Sequence, residues 1–250
     1  MDLNADLGEG FGRSRLADDE LLLDLVSSVN IACGYHAGDS TSMHETVRAA
    51  KARGVAIGAH PSYPDMPGFG RRELDLDPGA IAHHVSAQVR TLSEVCVAAG
   101  ARLTHVKPHG ALYNRAARDK SAARAIAQAL RDIDPSLVLL GLAGSEMMRA
   151  ASRSGIPFAS EAFADRAYTP ELTLVPRDQP GAVVENASAA AATAVKLVQQ
   201  RTVTTLEGLE VPLDADSLCV HGDNPRALAI LSAVRTELEA AGVRIKSFAT

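Results

Sequence analysis

The strongest constraint in this chain is a rhythm: seven short segments that read as strands, each followed by a stretch that reads as helix. The strand candidates are Asp2–Asp6, Val29–Cys33, Val55–His60, Thr104–Lys107, Leu137–Leu142, Pro157–Phe163 and Leu218–His221. Helical patterns cover Asp18–Ser28, Ser42–Arg53, Gly79–Ala99, Lys120–Arg131, Ser145–Ser154, Gly181–Gln200 and Pro225–Ala241. Capping signals flank several of them: Ser40 or Thr41 before the second, Gly100, Gly155 and Gly242 after three others, and Asn224-Pro225 at the start of the last. Strand–helix repetition of this kind builds a parallel sheet.

An open parallel sheet gathers its chemistry at one switch point, after one or two strands. Here nearly every strand runs into polar, titratable residues, which suits a barrel whose loops all surround one mouth. The predicted fold is therefore α/β, a seven-stranded parallel (β/α) barrel, closed or incompletely closed, with residues 1–250 forming one domain. Arg244–Phe248 offers an eighth strand or a closing edge, and seven strands is the preferred count. Alternation along the strands sets Asp2, Asn4 and Asp6 on one face and Leu3 and Ala5 on the other. The same rule puts Gly58 with His60, His105 with Lys107, and Cys219 with His221. The apolar sets would meet the helices and the polar sets the barrel axis. Barrel interiors are ordinarily filled by branched apolar layers, so inward charge calls for a reason, and a functional pocket is the simplest.

The candidate site residues follow in chain order: Asp6 and Glu9; Asn30, His36 and Asp39; His60; Lys107 and His109; Glu161, Asp165 and Arg166; His221 and Asp223. Most lie in Gly- or Pro-containing turns such as CGYHAGD, AHPSYP, KPHGALYN and VHGDNP, which would hold the side chains at the rim. A cluster of this kind serves two chemistries. It could bind a divalent metal that makes hydroxide from water, or act without metal through carboxylates and imidazoles as general acid and base. Each residue alone also has a plainer reading. Asp39 and Asp223 have the placement of helix caps, and Lys107 could serve a structural ion pair. His44, His83, His84 and His105 are assigned to structural or solvated roles. GEGFG at Gly8–Gly12 has the look of a phosphate loop without its full spacing, and a rim loop is the better reading. Arg72, in GFGRR, is equally a binder of a substrate carboxylate or phosphate and a solvated basic turn.

Composition removes other classes. A net charge of −5 offers no basic surface for nucleic acid. No segment reaches the roughly 20 apolar residues that span a bilayer, and the acidic start MDLNADLGEG has no leader pattern, so a cytoplasmic location is expected. Three cysteines without CxxC spacing exclude a disulfide framework and a zinc ribbon; packing is the expected role of Cys33, Cys96 and Cys219.

Six segments together carry a resemblance. LNADLGEGFG, NIACGYHAGD, GAHPSYPDMPGFGRR, VKPHGALYN, EAFADRAY and VHGDNP resemble, in this order and over essentially the whole chain, the LamB/YcsF family, whose members form one component of bacterial 5-oxoprolinase. One segment departs from it: PELTLVPR, Pro170–Arg177, lacks a glycine in the turn before LVPR. The resemblance implies a barrel of the glycoside hydrolase/deacetylase type and the ATP-dependent hydrolytic opening of 5-oxo-L-proline to L-glutamate. It also implies 5-oxoprolinase subunits B and C as partners, with ATP used by those partners. Under that reading Asp6, His60, His109, Glu161, His221 and Asp223 are catalytic. Glu9, Asn30, His36, Asp39, Arg72, Lys107, Asp165 and Arg166 bind substrate. Whether a divalent metal takes part stays open, and a homo-oligomer is compatible with everything above. Two rival readings use the same residues: a stand-alone metal-dependent amidase or deacetylase, and a non-catalytic regulatory protein that binds a lactam or carbohydrate.

Overall fold

The computed structural model describes residues 1–10, 16–221 and 226–249. Seven strands form the barrel: β1 (Asp2–Leu7), β2 (Ser28–Ala32), β3 (Ala56–His60), β4 (Leu103–Val106), β5 (Val138–Leu142), β6 (Phe158–Phe163) and β9 (Ser217–Val220). Each pairs in parallel with the next, and β9 pairs with both β6 and β1, so the ring closes with no open edge. Arg244–Phe248 adds no eighth strand. It crosses beneath the start of β1, where the Met1 ammonium donates to Arg244 O and the Lys246 amide to Met1 O, both at 3.0 Å. β1 already has two neighbours, and nothing is left for that segment to pair with.

The helices are α1 (Leu16–Leu23), α2 (Ser40–Arg53), α3 (Pro78–Ala98), α4 (Gly110–Arg118), α5 (Lys120–Ile133), α6 (Glu146–Ser154), α7 (Ala187–Gln200) and α8 (Ala227–Ala240). Helix α5 shows why they sit where they do: Ala122, Ala123, Ile126, Ala127 and Leu130 recur at helical spacing and are all buried. Burying a Leu- or Ile-sized side chain contributes about 1.5–3 kcal/mol. The predicted Gly181–Gln200 helix starts late, because Val183 bridges to Arg166 and Asn186 caps the helix by accepting from the Ala189 amide. A short antiparallel hairpin, β7 (Thr202–Thr204) with β8 (Glu210–Pro212), is a feature the β/α rhythm does not announce. The turn in Pro170–Arg177 is made without glycine: Leu172 takes φ +61°, a left-handed conformation that costs a non-glycine residue about 1–2 kcal/mol. The Asn224-Pro225 cap lies outside the described residues.

Side-chain alternation follows expectation. Leu3, Ala5, Val29, Ile31, Ile57, Ala59 and Val106 are buried in the hydrophobic core. The axis is polar from its base upward. The Asp2 carboxylate accepts from the hydroxyls of Ser27, Ser28 and Ser217. Above it, Asn4 Nδ2 donates to Ser217 Oγ at 2.8 Å and Glu161 Oε1 at 3.0 Å, and its Oδ1 accepts from Asn30 Nδ2 at 2.8 Å. His105 is fully buried and donates from Nε2 to Asn30 Oδ1 at 3.0 Å. Burial lowers its pKa to about 3, so it is a neutral filler of the axis, structural as expected but not solvated.

His105 fits because β3 carries Gly58 opposite it; a Cβ on Gly58 would lie 2.1 Å from His105 Nε2 and 2.3 Å from its Cδ2. Gly58→Ala should therefore destabilise the protein by about 1–3 kcal/mol through overpacking, read as a lower midpoint in urea unfolding. An unchanged midpoint would mean that His105 has room to move.

Candidate functional site

The C-terminal ends of the strands hold the charged layer, and Lys107 is at its centre. This residue continues β4, its amide donating to Ala59 O, and its side chain turns to the axis with 2 % of its surface exposed. Nζ lies 2.8 Å from Glu161 Oε1, 3.0 Å from Asp6 Oδ1, 3.3 Å from Asn4 Oδ1 and 3.0 Å from Cys219 Sγ. Burial works against the ammonium, yet the charge of Asp6, with Cys219 and Glu161 behind it, outweighs burial and holds the Lys107 pKa well above the usual lysine value. Asp6 is the mirror case. Burial pushes its carboxyl up, but the positive fields of His60 and Lys107 prevail and hold it well below the usual range. Its Oδ1 also accepts from Asn30 Nδ2 at 2.9 Å, and its Oδ2 lies 3.4 Å from His60 Nε2.

Glu161, expected among the catalytic residues, touches no imidazole. It is saturated by Lys107, Asn4 and the Tyr113 hydroxyl, the last at 2.8 Å from Oε2. Tyr113 is absent from the sequence candidates. It sits on α4, a helix hidden because KPHGALYN reads as a turn: Gly110 holds φ +57° and His109 gives no side-chain cap.

The second group is a nest of imidazoles. The loop after β3 is shaped by Asp65, which caps a single 3-10 turn, Met66–Gly68, and by Phe69 and Gly70 at positive φ. That geometry brings the Phe69 carbonyl to 2.9 Å from His109 Nε2, while His60 Nδ1 lies 2.7 Å from Lys107 O. Carbonyl oxygens only accept, so each of these nitrogens carries the hydrogen. The other two, His60 Nε2 and His109 Nδ1, face each other at 3.0 Å. Glu9 Oε1 is 3.5 Å from both His109 Nδ1 and His36 Nε2. His36 stacks on His109 with centroids 3.9 Å apart. Burial pushes His36 down to about 3 and His109 well below the usual histidine value. Donor atoms of Glu9, His36, His60 and His109 lie within 4.8 Å of one another, the spacing of a set able to hold a metal ion.

At the far side of Asp6, His221 pairs with Asp165: Nδ1 lies 3.0 Å from Oδ1, and the His221 amide donates to Oδ2 at 3.1 Å. The ring stacks on Phe163, and its donor atom lies within 4.8 Å of those of Asp6 and Cys219. Asp6, Glu9, Asn30, His36, His60, Lys107, His109, Glu161, Asp165 and His221 thus converge on one end of the barrel. Three candidates are engaged elsewhere. Asp39 caps α2, accepting from the Ser42 amide at 2.8 Å in a reciprocal capping box. Arg72 forms an ion pair with Asp65 and is largely exposed. Arg166 donates to the carbonyls of Ala182 and Val175, holding the 166–183 loop. Asp223 lies outside the described residues. Cys219, expected as a buried hydrophobe, instead places its sulfur beside the Lys107 ammonium.

Two outcomes follow from the charges. Lys107→Met leaves Asp6 and Glu161 buried without their cation and should cost about 3–5 kcal/mol in urea unfolding, with part of the loss recovered on adding Glu161→Gln. Equal stability of the single and double variants would mean that the ion pairs do not hold this layer. For Asp165, burial acts to raise the carboxyl but the His221 contacts outweigh it, so the folded pKa is depressed. A depressed carboxylate stabilises the fold above its unfolded pKa of about 3.9 and loses that contribution as pH falls through the folded value. The stability gap between wild type and Asp165→Asn should therefore be full at neutral pH and close under acid; a gap that widens as pH falls contradicts the pairing.

The chain matches the sequence profile of the LamB/YcsF family over residues 1–250. It is 51% identical to the 5-oxoprolinase A-type component of Methylococcus capsulatus across 98% of this chain and 94% of the relative. Identity to the same component of the Streptomyces avermitilis 5-oxoprolinase is 49% across the full length of both. A crystal structure of a lactam utilization protein from Thermus thermophilus superposes with a TM-score of 0.93 at 45% identity, covering 99% of each chain. A family match over every residue and relatives sharing about half their residues from end to end leave one conclusion: this chain belongs to the LamB/YcsF family.

Proposed function

We propose that this chain is the A-type component of an ATP-dependent 5-oxoprolinase and that the lactam ring is opened by water at its barrel mouth. The observation that carries the reading is the end-to-end likeness to relatives that bear this 5-oxoprolinase name. The chemistry agrees with it. A lactam carbonyl is stabilised by amide resonance and resists water; phosphorylating the amide oxygen removes that resonance, so that water adds to the carbon, loss of the ring nitrogen leaves glutamyl phosphate, and a second water releases phosphate and L-glutamate. The sequence carries no G-x-x-x-x-G-K-[ST] loop. The reading assigns the ATP step to partner subunits B and C and the hydrolytic step to this chain.

The pairing of Asp165 with His221 Nδ1 leaves Nε2 to take a proton from water and return it to the departing ring nitrogen, the division of labour of an oriented imidazole base. Asp6, kept ionised by Lys107, orients the attacking water, and the Lys107 charge opposes the negative charge of the phosphorylated oxygen. Glu161, Asn4 and Tyr113 hold Lys107 in place and do not reach the reacting atoms.

The test is glutamate formation from 5-oxoproline in a mixture of this chain with subunits B and C and ATP. Omitting this chain should abolish product. His221→Ala should lower kcat by roughly 10²–10⁴-fold, the usual share of a general acid–base, and Asp6→Asn should be comparably impaired with the fold retained by circular dichroism. Product formation without this chain, or near-wild-type turnover by both variants, refutes the proposal.

A further inference from the structure

The imidazole nest is built for something that the hydrolytic reading leaves unused. His60 and His109 each have one ring nitrogen committed as a donor to a backbone carbonyl, so when both rings are neutral their remaining nitrogens are lone-pair donors. These two point at each other at 3.0 Å. Lone pairs so placed repel unless something positive lies between or beside them. Among the described residues, His36, 1% exposed, has neither ring nitrogen hydrogen-bonded, although leaving a buried polar group unsatisfied costs about 1–3 kcal/mol. Its Nε2 and His109 Nδ1 both face Glu9 Oε1 at 3.5 Å, too long for a good hydrogen bond.

A divalent cation accounts for the convergence of the four donor atoms and for the unbonded His36 nitrogens, once the stacked His36 and His109 rings, with centroids 3.9 Å apart, turn to aim their lone pairs at it. Tetrahedral ligands at about 2.0–2.1 Å from a zinc ion lie about 3.4 Å apart, and the three separations above, 3.0, 3.5 and 3.5 Å, bracket that value. Anchoring a ligand imidazole through its far N–H to a carbonyl is the usual outer shell of a metal histidine, and it is present at both His60 and His109. Three imidazoles and one carboxylate suit a borderline ion such as Zn²⁺ better than Mg²⁺ or Ca²⁺, which take oxygen ligands. Burial keeps His36 and His109 neutral, the form that ligates.

We infer that Glu9, His36, His60 and His109 form a binding site for one divalent transition-metal ion, zinc in the first instance, through Glu9 Oε1, His36 Nε2, His60 Nε2 and His109 Nδ1. Asp6 is not counted among the ligands, because it falls outside the four residues whose donor atoms all lie within 4.8 Å of one another, its Oδ1 being held by Lys107 and Asn30. The site goes beyond the hydrolytic reading and stands independently of it, since binding is measured without turnover.

The full-length protein, stripped with a chelator and dialysed, is titrated with Zn²⁺ against a chromophoric competitor, and separately with Co²⁺ followed by visible absorption. The site predicts one equivalent of Zn²⁺ per chain and intense Co²⁺ bands of a four-coordinate nitrogen-rich site. His36→Gln and His109→Ala should each weaken Zn²⁺ binding by about 100-fold or more, at least the loss seen for outer-shell changes, while His83→Ala on the exposed face of α3 leaves it unchanged. Should His109→Ala fail to fold, the wild-type Co²⁺ spectrum and His36→Gln still decide. No stoichiometric uptake by the wild type overturns the inference, leaving a single shared proton between His60 and His109 as the occupant. Uptake that survives in His36→Gln and His109→Ala alike overturns it as well.

Discussion

An ammonium group on the axis of a closed barrel is the constraint around which this molecule is arranged. Removing a lysine charge from water costs several kcal/mol even after relaxation, and Lys107 recovers that only because two carboxylates, an amide oxygen and a sulfur surround it. Those partners come from β1, β6 and β9, so the charge ties together strands distant in sequence. Three of these partners are in turn hydrogen-bonded elsewhere: Glu161 to Asn4 and Tyr113, Asp6 to Asn30, Asn4 to Ser217. A half-satisfied polar interior would be worse than an apolar one. This one is paired from the serines around Asp2 up to Lys107, and in the imidazole nest at the mouth the buried nitrogens of His36 are left without a hydrogen bond among the described residues.

The arrangement has a consequence for chemistry. Because Lys107 is spoken for, Asp6 stays ionised beside a positive charge, and the freer acid–base group is His221, with its Nδ1 fixed by Asp165 and its ring nearer the opening. The imidazoles of His36, His60 and His109 occupy the opposite flank, with one N–H of His60 and of His109 committed to a backbone carbonyl and His36 hydrogen-bonded to no described residue. One mouth therefore presents two separate capabilities: an oriented base on one side and a convergent set of lone pairs on the other. Family membership says which reaction to look for; the contacts say which group on which side would do what.

Much of this is legible in the sequence, for a specific reason. Strand alternation has a period of two, so Asp2-x-Asn4-x-Asp6 and His105-x-Lys107 can only point to one face each, and the barrel rhythm says that the face is the axis. The period is silent on partners, which explains why it places Glu161 among the site residues without announcing that Lys107, Asn4 and Tyr113 saturate it. Asp39 misleads because an aspartate at a strand end is the same letter whether it caps α2 or meets a ligand. Arg72 misleads because its partner, Asp65, lies seven residues away in a turn whose shape depends on Phe69 and Gly70. Helix α4 escapes notice where glycine and proline normally mark turns, and with it Tyr113. Leu172 shows the converse: the missing glycine is visible, but not that a leucine accepts the left-handed conformation in its place.

The central claim is that Lys107 is charged inside the protein and organises the site by that charge. Nuclear magnetic resonance on protein labelled with ¹³Cε-lysine reads it directly, with Lys107 assigned by its absence in Lys107→Met. The Lys107 signal should keep its ammonium shift beyond a pH of about 10.4, where exposed lysines are half titrated. A Lys107 signal with the shift of a neutral amine at neutral pH would contradict the account.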